Sequence, residues 1–162
     1  MAAPDADITP HAVGTSLQFE CQDPIGTGAT SGALAGPHAI GVPDVMAISA
    51  PAIGAGSIQW GAGATYQGFR FAKVGLVLKS GVPFTLSVPA TMRGSMKIGW
   101  SNSGYTLADT LTGAGCTSNQ PDAGWLVYPG GFWLKAPVCV PLTVTSGQSS
   151  ETINIPVGKP CP

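Results

Sequence analysis

Residues 67–78 read QGFRFAKVGLVL, and their alternation decides the fold class. Phe69, Phe71, Lys73 and Gly75 fall on one parity; Arg70, Ala72, Val74 and Leu76 fall on the other. A period of two sends successive side chains to opposite faces of a β-strand. Lys79-Ser80-Gly81 then reads as a turn. Residues 84–88 (FTLSV) repeat the period between Pro83 and Pro89, with Phe84, Leu86 and Val88 inward and Thr85 and Ser87 outward. Residues 92–100 (MRGSMKIGW) continue it, with Met96, Ile98 and Trp100 on one face.

The same pattern extends outward. Residues 15–21 (TSLQFEC) alternate, with Leu17, Phe19 and Cys21 on one side. Residues 22–38 are too rich in Gly and Pro for a helix and read as a long loop. Residues 39–48 have strand character with Pro43 inside, which implies an edge or a bulge. A short strand signal follows at 57–60. Residues 106–111 fit a strand or one helical turn. Residues 125–128 and 132–135 read as two aromatic strands turned by Pro129-Gly130-Gly131, and 139–145 with 152–157 as a hairpin about 146–148. No window sustains a period of 3.6. Short strands at 8–12-residue spacing predict an all-β fold: an antiparallel, immunoglobulin-like β-sandwich, with a small β-barrel as the alternative. The expected organisation is an extended leader over 1–14 and a single domain over 15–162.

Composition narrows the function. Of 162 residues only 9 % are charged, 7 Lys+Arg against 8 Asp+Glu, for a net charge of −1. Scattered cations this few cannot form the basic stripe that neutralises nucleic-acid phosphates. Gly (23) and Pro (15) approach low-complexity levels, but 44 % hydrophobic residues arrive in regular runs, as in a folded domain. No apolar stretch reaches the roughly 18 residues of a membrane-spanning helix.

The four cysteines, Cys21, Cys116, Cys139 and Cys161, form no CxxC pair, and His11 and His38 lie far from them in sequence. That spacing argues against zinc and for two disulfides made in an oxidising compartment. Three connectivities are possible. Cys116–Cys139 would bridge neighbouring strands, and Cys21–Cys161 would tie an early strand to the chain end; this is the expected pairing. The start, MAAPDAD, has neither a basic nor an apolar segment and reads as a mature exported terminus with an initiator Met added. Asn102, Asn119 and Asn154 lie in no N-x-S/T sequon.

Trp125-Leu-Val-Tyr-Pro-Gly-Gly-Phe132, Cys139-Val-Pro-Leu-Thr-Val-Thr and Ile155-Pro-Val-Gly-Lys-Pro-Cys161 together resemble the ending of uncharacterised secreted proteins from actinobacteria. The resemblance implies export, disulfides and a β-rich fold, and no catalytic residues.

Candidate chemistry is sparse. Residues 99–104 (GWSNSG) miss the G-x-S-x-G elbow by one position, and both histidines sit in Pro/Gly-rich segments expected to be exposed loops. Of the acids Asp5, Asp7, Glu20, Asp23, Asp44, Asp109, Asp122 and Glu151, half neighbour Pro, where Asp serves turns rather than a glycosidase pair. The Gly-rich run 26–32 lacks the Gly-Lys-Ser/Thr ending of a phosphate loop. Trp60, Trp100, Trp125, Trp133, Tyr66, Tyr105 and Tyr128 could stack on sugar rings. An exposed tip made by Trp125, Tyr128, Phe132 and Trp133 is the candidate ligand site, weighed against these aromatics filling the core. The expected function is binding without catalysis, toward a cell-surface or extracellular partner, with self-association open and no cofactor implied. A carbohydrate or small-ligand module and a hydrolase with an unrecognised acid pair are the alternatives.

Overall fold

The computed structural model describes residues 6–22, 24–49, 56–101 and 103–162. Strands, numbered along the chain, form two sheets. The larger has nine strands. It runs from β14 (Ser149–Val157) through β13 (Val138–Ser146), β8 (Phe84–Ser87), β10 (Thr106–Gly113), β9 (Met96–Trp100), β12 (Gly130–Leu134) and β6 (Phe69–Lys73) to β5 (Thr65–Tyr66). β1 (Ala12–Gln18) lies parallel to β10; the other pairs in this sheet are antiparallel. The smaller sheet, all antiparallel, orders β2 (Gly26–Gly28), β11 (Trp125–Tyr128), β7 (Leu76–Lys79), β4 (Met46–Ile48) and β3 (Ile40–Val42). The fold is thus all-β, as the alternation predicts. The large sheet curls into a half-barrel, nearer the barrel alternative. Nine and five strands do not reproduce the four-plus-three immunoglobulin order.

The strand over 67–78 is two strands. β6 belongs to the large sheet and β7 to the small one. The same holds for 125–134: β11 and β12 are not a hairpin, because the chain changes sheet at Pro129-Gly130. These segments pair with each other in one unbroken antiparallel register, from Leu134 opposite Arg70 to Trp125 opposite Lys79. The result is a single two-stranded ribbon, bent where Val74 N–H donates to Gly130 O at 2.9 Å. Gly130 has φ 154°, and a Cβ there would sit 2.2 Å from Gly99 O and 2.5 Å from Trp100 Cα.

Between the sheets lies the main core, including Leu76, Leu78, Leu86, Ile98, Trp100, Tyr128, Phe132, Leu142 and Ile155. Each fully buried Leu or Ile contributes about 1.5–3 kcal/mol. Trp100 spans the bend, its Nε1 donating to Val74 O at 2.8 Å. On the outer face of the large sheet, Phe69, Leu107 and Trp133 form a second cluster. Trp133 Nε1 reaches Thr106 O on β10 at 3.1 Å, across β9 at Gly99, where a Cβ would lie 1.7 Å from that same oxygen.

Other expectations are corrected. The stretch 22–38 is no simple loop: it contains β2 and a five-residue helix, α1 (Ser31–Ala35), capped by Thr30 Oγ1 accepting from Ala33 N. Leu34 and Ala35 pack on Ala47, Val77 and Trp125, so tertiary packing holds a helix that its Gly-rich sequence would not sustain alone. Residues 39–48 are a hairpin turned at Pro43-Asp44, Asp44 having φ 61°. β1 begins at Ala12, inside the supposed leader, and Ile8 N–H donates to Thr65 O. The signal at 57–60 is only a bridge, Ile58 to Val157.

There are two disulfides, but the expected pairing is wrong. Cys21 bonds Cys116, and Cys139 bonds Cys161. β1 runs parallel beside β10 with Gln18 opposite Thr112, so Cys21 and Cys116 leave the same end of the sheet together. Cys116 instead follows β10 and Cys139 lies at the start of β13, strands that β8 separates. Cys139 pairs with Pro156 across the β13–β14 hairpin, which brings Cys161 to it.

Non-reducing peptide mapping is expected to link Cys21 with Cys116 and Cys139 with Cys161. With sequence separations of 95 and 22, loop entropy assigns about 5 and about 3 kcal/mol. The double serine variant at Cys21 and Cys116 should therefore unfold at lower urea than the one at Cys139 and Cys161. Gly130→Ala should lose about 3 kcal/mol or more by overpacking at the bend. Gly94→Ala, with nothing within 4 Å of the new Cβ, should stay within about 0.5 kcal/mol in the same urea titration.

Candidate functional site

The aromatic tip does not form. Tyr128, Phe132 and Trp133 are fully buried and Trp125 nearly so. Trp125 lies under α1 with the Lys79 ammonium 5.3 Å from its ring centre. Phe132 packs edge-on to Trp100 at 5.2 Å. Tyr128 meets Phe19 at 4.9 Å, and its hydroxyl donates to Cys21 O at 3.0 Å. Burial pushes the Tyr128 phenol up to about 12.

Most of the polar candidates are likewise committed. His11 is not an isolated loop residue: its Nε2 lies 2.9 Å from Glu20 Oε2, and Ser103 Oγ donates to Glu20 Oε1 at 2.9 Å. The carboxylate stands between hydroxyl and imidazole, whereas activation of a serine needs the imidazole next to it. Asp109 is buried and holds Lys97 Nζ at 2.6 Å. Asp7 accepts from Thr65 Oγ1 and Gln67 N. Asp44 and Asp122 occupy turns at positive φ. Asp5, Asp23 and Asn102 lie outside the described residues. No group of three or more His, Cys, Asp or Glu side chains comes together among the described residues.

The concave aromatic surface is elsewhere, on the outer face of the large sheet. Tyr105, just before β10, is 39 % exposed. Phe71 and Trp133 hold its ring edge-on at 5.3 and 5.5 Å. Two shallow depressions of about 300 and 330 Å³ flank this ring and share Phe71, Lys73 and Tyr105. One is completed by Ser101, Gly104, Pro129 and Gly130, the other by Gln59 and residues 62–64. Each lies at the lower end of the volumes that hold small ligands, about 300–1,000 Å³. The bend in the ribbon therefore builds one wall, and β6 supplies the floor. In the sequence, Phe71 and Lys73 share a parity and Tyr105 is one of seven scattered Trp and Tyr residues; their meeting depends on the sheet order β10-β9-β12-β6, in which two strands separate β10 from β6.

A second surface is built of hydroxyl side chains. Outward positions of β1, β10, β8, β13 and β14 align Ser16, Thr110, Ser87, Thr143 and Thr152 in one row. Gln18, Thr112, Thr85, Thr145 and Ser150 form the next. Hydroxyl pairs Thr143–Thr152 and Thr145–Ser150 are hydrogen-bonded across strands at 3.3 and 3.2 Å.

A comparison of the chain with protein families, with curated proteins and with solved structures finds no match.

Because the folded phenol of Tyr128 titrates above its ordinary value of 10, the fold favours the neutral form. That contribution is complete below pH 10 and declines as pH rises from 10 toward 12. Alkaline titration of phenolate absorbance should show a step near pH 12 that Tyr128→Phe removes. The variant should also lose about 1 kcal/mol with its hydrogen bond to Cys21 O.

Proposed function

We propose that the protein is an exported, non-catalytic binding module that holds carbohydrate in the groove about Tyr105. The observation that carries this reading is the half-exposed Tyr105 ring, fixed by Phe71 and Trp133 between two depressions. An aromatic ring with one hydrophobic face and nearby hydrogen-bonding groups suits a sugar, whose ring presents C–H groups to the aromatic and hydroxyls to its rim. Ser101 and Gln59 stand at that rim. Among the described residues no acid lines either depression, and a glycosidase needs a pair of them.

Two disulfides support export, since they persist in oxidising compartments. The resemblance of the last 40 or so residues to secreted actinobacterial proteins agrees with it. No helix among the described residues is long and apolar enough to cross a membrane.

A glycan array followed by calorimetry tests this reading. At least one glycan should bind, and Tyr105→Ala should weaken it about tenfold, the effect of one aromatic contact, while the variant stays folded. A complete absence of glycan binding, or turnover of any substrate on a panel of esterase, protease and glycosidase assays, would contradict it.

A further inference from the structure

We infer that the groove selects a carboxylated sugar, with the Lys73 ammonium as the group that recognises the acid. This rests on the carbohydrate reading of the groove and adds its ligand class.

The argument begins with scarcity. The chain has seven Lys and Arg, and four of them are already engaged. Lys97 pairs with Asp109 at 2.6 Å. Lys79 sits over the Trp125 ring and Lys135 over Phe69. Arg70 donates to Gly63 O at 3.3 Å. Arg93 and Lys159 line neither depression. Lys73 lines both, is exposed, and makes no hydrogen bond or ion pair among the described residues.

Strand register keeps it unpaired. On a sheet surface, an acid directly across on the next strand is well placed to pair with an ammonium. Opposite Lys73 stands Gly131, and opposite Gly131 on the following strand stands Gly99. Neither carries a side chain, so two strands beside Lys73 offer backbone alone. Of the acids placed elsewhere on the structure, Asp109 is held by Lys97, Glu20 by His11 and Ser103, and Asp7 by Thr65 and Gln67, while Asp44, Asp122 and Glu151 line neither depression. An exposed cation is thus presented beside a half-exposed aromatic ring, with no acid among the described residues of the groove to answer it. A sugar bearing a carboxylate satisfies both at once, its ring against Tyr105 and its acid on Lys73. Because Lys73 and Tyr105 are common to both depressions, the acidic unit sits at the centre and further units extend to either side. A free sugar acid and an acidic polysaccharide share this chemistry, and chain length separates them.

Isothermal titration calorimetry at low salt compares oligomers of a uronic acid, their carboxyl-reduced neutral counterparts and the monomeric sugar acid. The acidic oligomer should bind about fivefold tighter than its neutral form, the effect of one exposed ion pair, and the preference should shrink as salt rises. Lys73→Gln should erase the preference, and Lys73→Arg should retain it. Oligomer binding tighter than monomer assigns a polysaccharide; equal affinities assign a free sugar acid. Equal binding of acidic and neutral forms, or a preference that survives in Lys73→Gln, overturns the inference and leaves the carbohydrate reading intact. Binding of neither form overturns both.

Discussion

The structure depends on one bent ribbon. β6 and β7 pair with β12 and β11 in a single register that crosses from the large sheet to the small one. Every other strand is added to one half of this ribbon or the other, so the bend sets how the sheets face each other. Its conformation is secured from three sides. Gly130 admits backbone contact that any Cβ would block. The Trp100 indole binds Val74 O from the core side. Pro129 O accepts from Ser101 N at 2.9 Å, tying the bend to the end of β9. Where the ribbon bends, its outer surface also becomes the wall of the groove, so fold and candidate site share a cause.

The bend explains what could and could not be read from the residues alone. Ala72, Val74, Leu76 and Leu78 all face the main core, as do Leu126, Tyr128, Phe132 and Leu134 on the partner segment. The inward parity is the same before and after the change of sheet. Alternation therefore identifies strands correctly and runs straight through the corner without a mark. Gly75 and Pro129-Gly130 are the local traces of it, and in a chain this rich in Gly and Pro they look like ordinary turns. The same limit applies to the cysteines. Their number and context imply two bridges, but the partner of Cys21 is set by the parallel placement of β1 beside β10, a long-range pairing with no local signature.

The aromatic residues show a similar division. Their count made stacking on a ligand plausible, and their proximity around Gly130-Gly131 pointed to a tip. Proximity in sequence instead reflects the passage of the chain through the interior, where Tyr128 and Phe132 fill the core from opposite sides of the bend. Tyr105 is exposed because it precedes β10 at the rim of the sheet, and Phe71 reaches it only through the order β10-β9-β12-β6. Low charge acquires a structural meaning as well. A net of Ser and Thr hydroxyls hydrates one broad face, the few cations and acids are mostly engaged in fixed contacts, and Lys73 stands apart from them in the groove.

Hydrogen exchange at two amides tests the central claim most directly. If the ribbon is continuous through its bend, the Val74 and Ser101 amides, which donate to Gly130 O and Pro129 O, exchange only on global unfolding. Their opening free energies should then match those of core amides in β9 and β12. Exchange of these two at a markedly lower free energy, with both sheets still protected, would show two sheets joined by a loose hinge and contradict the account.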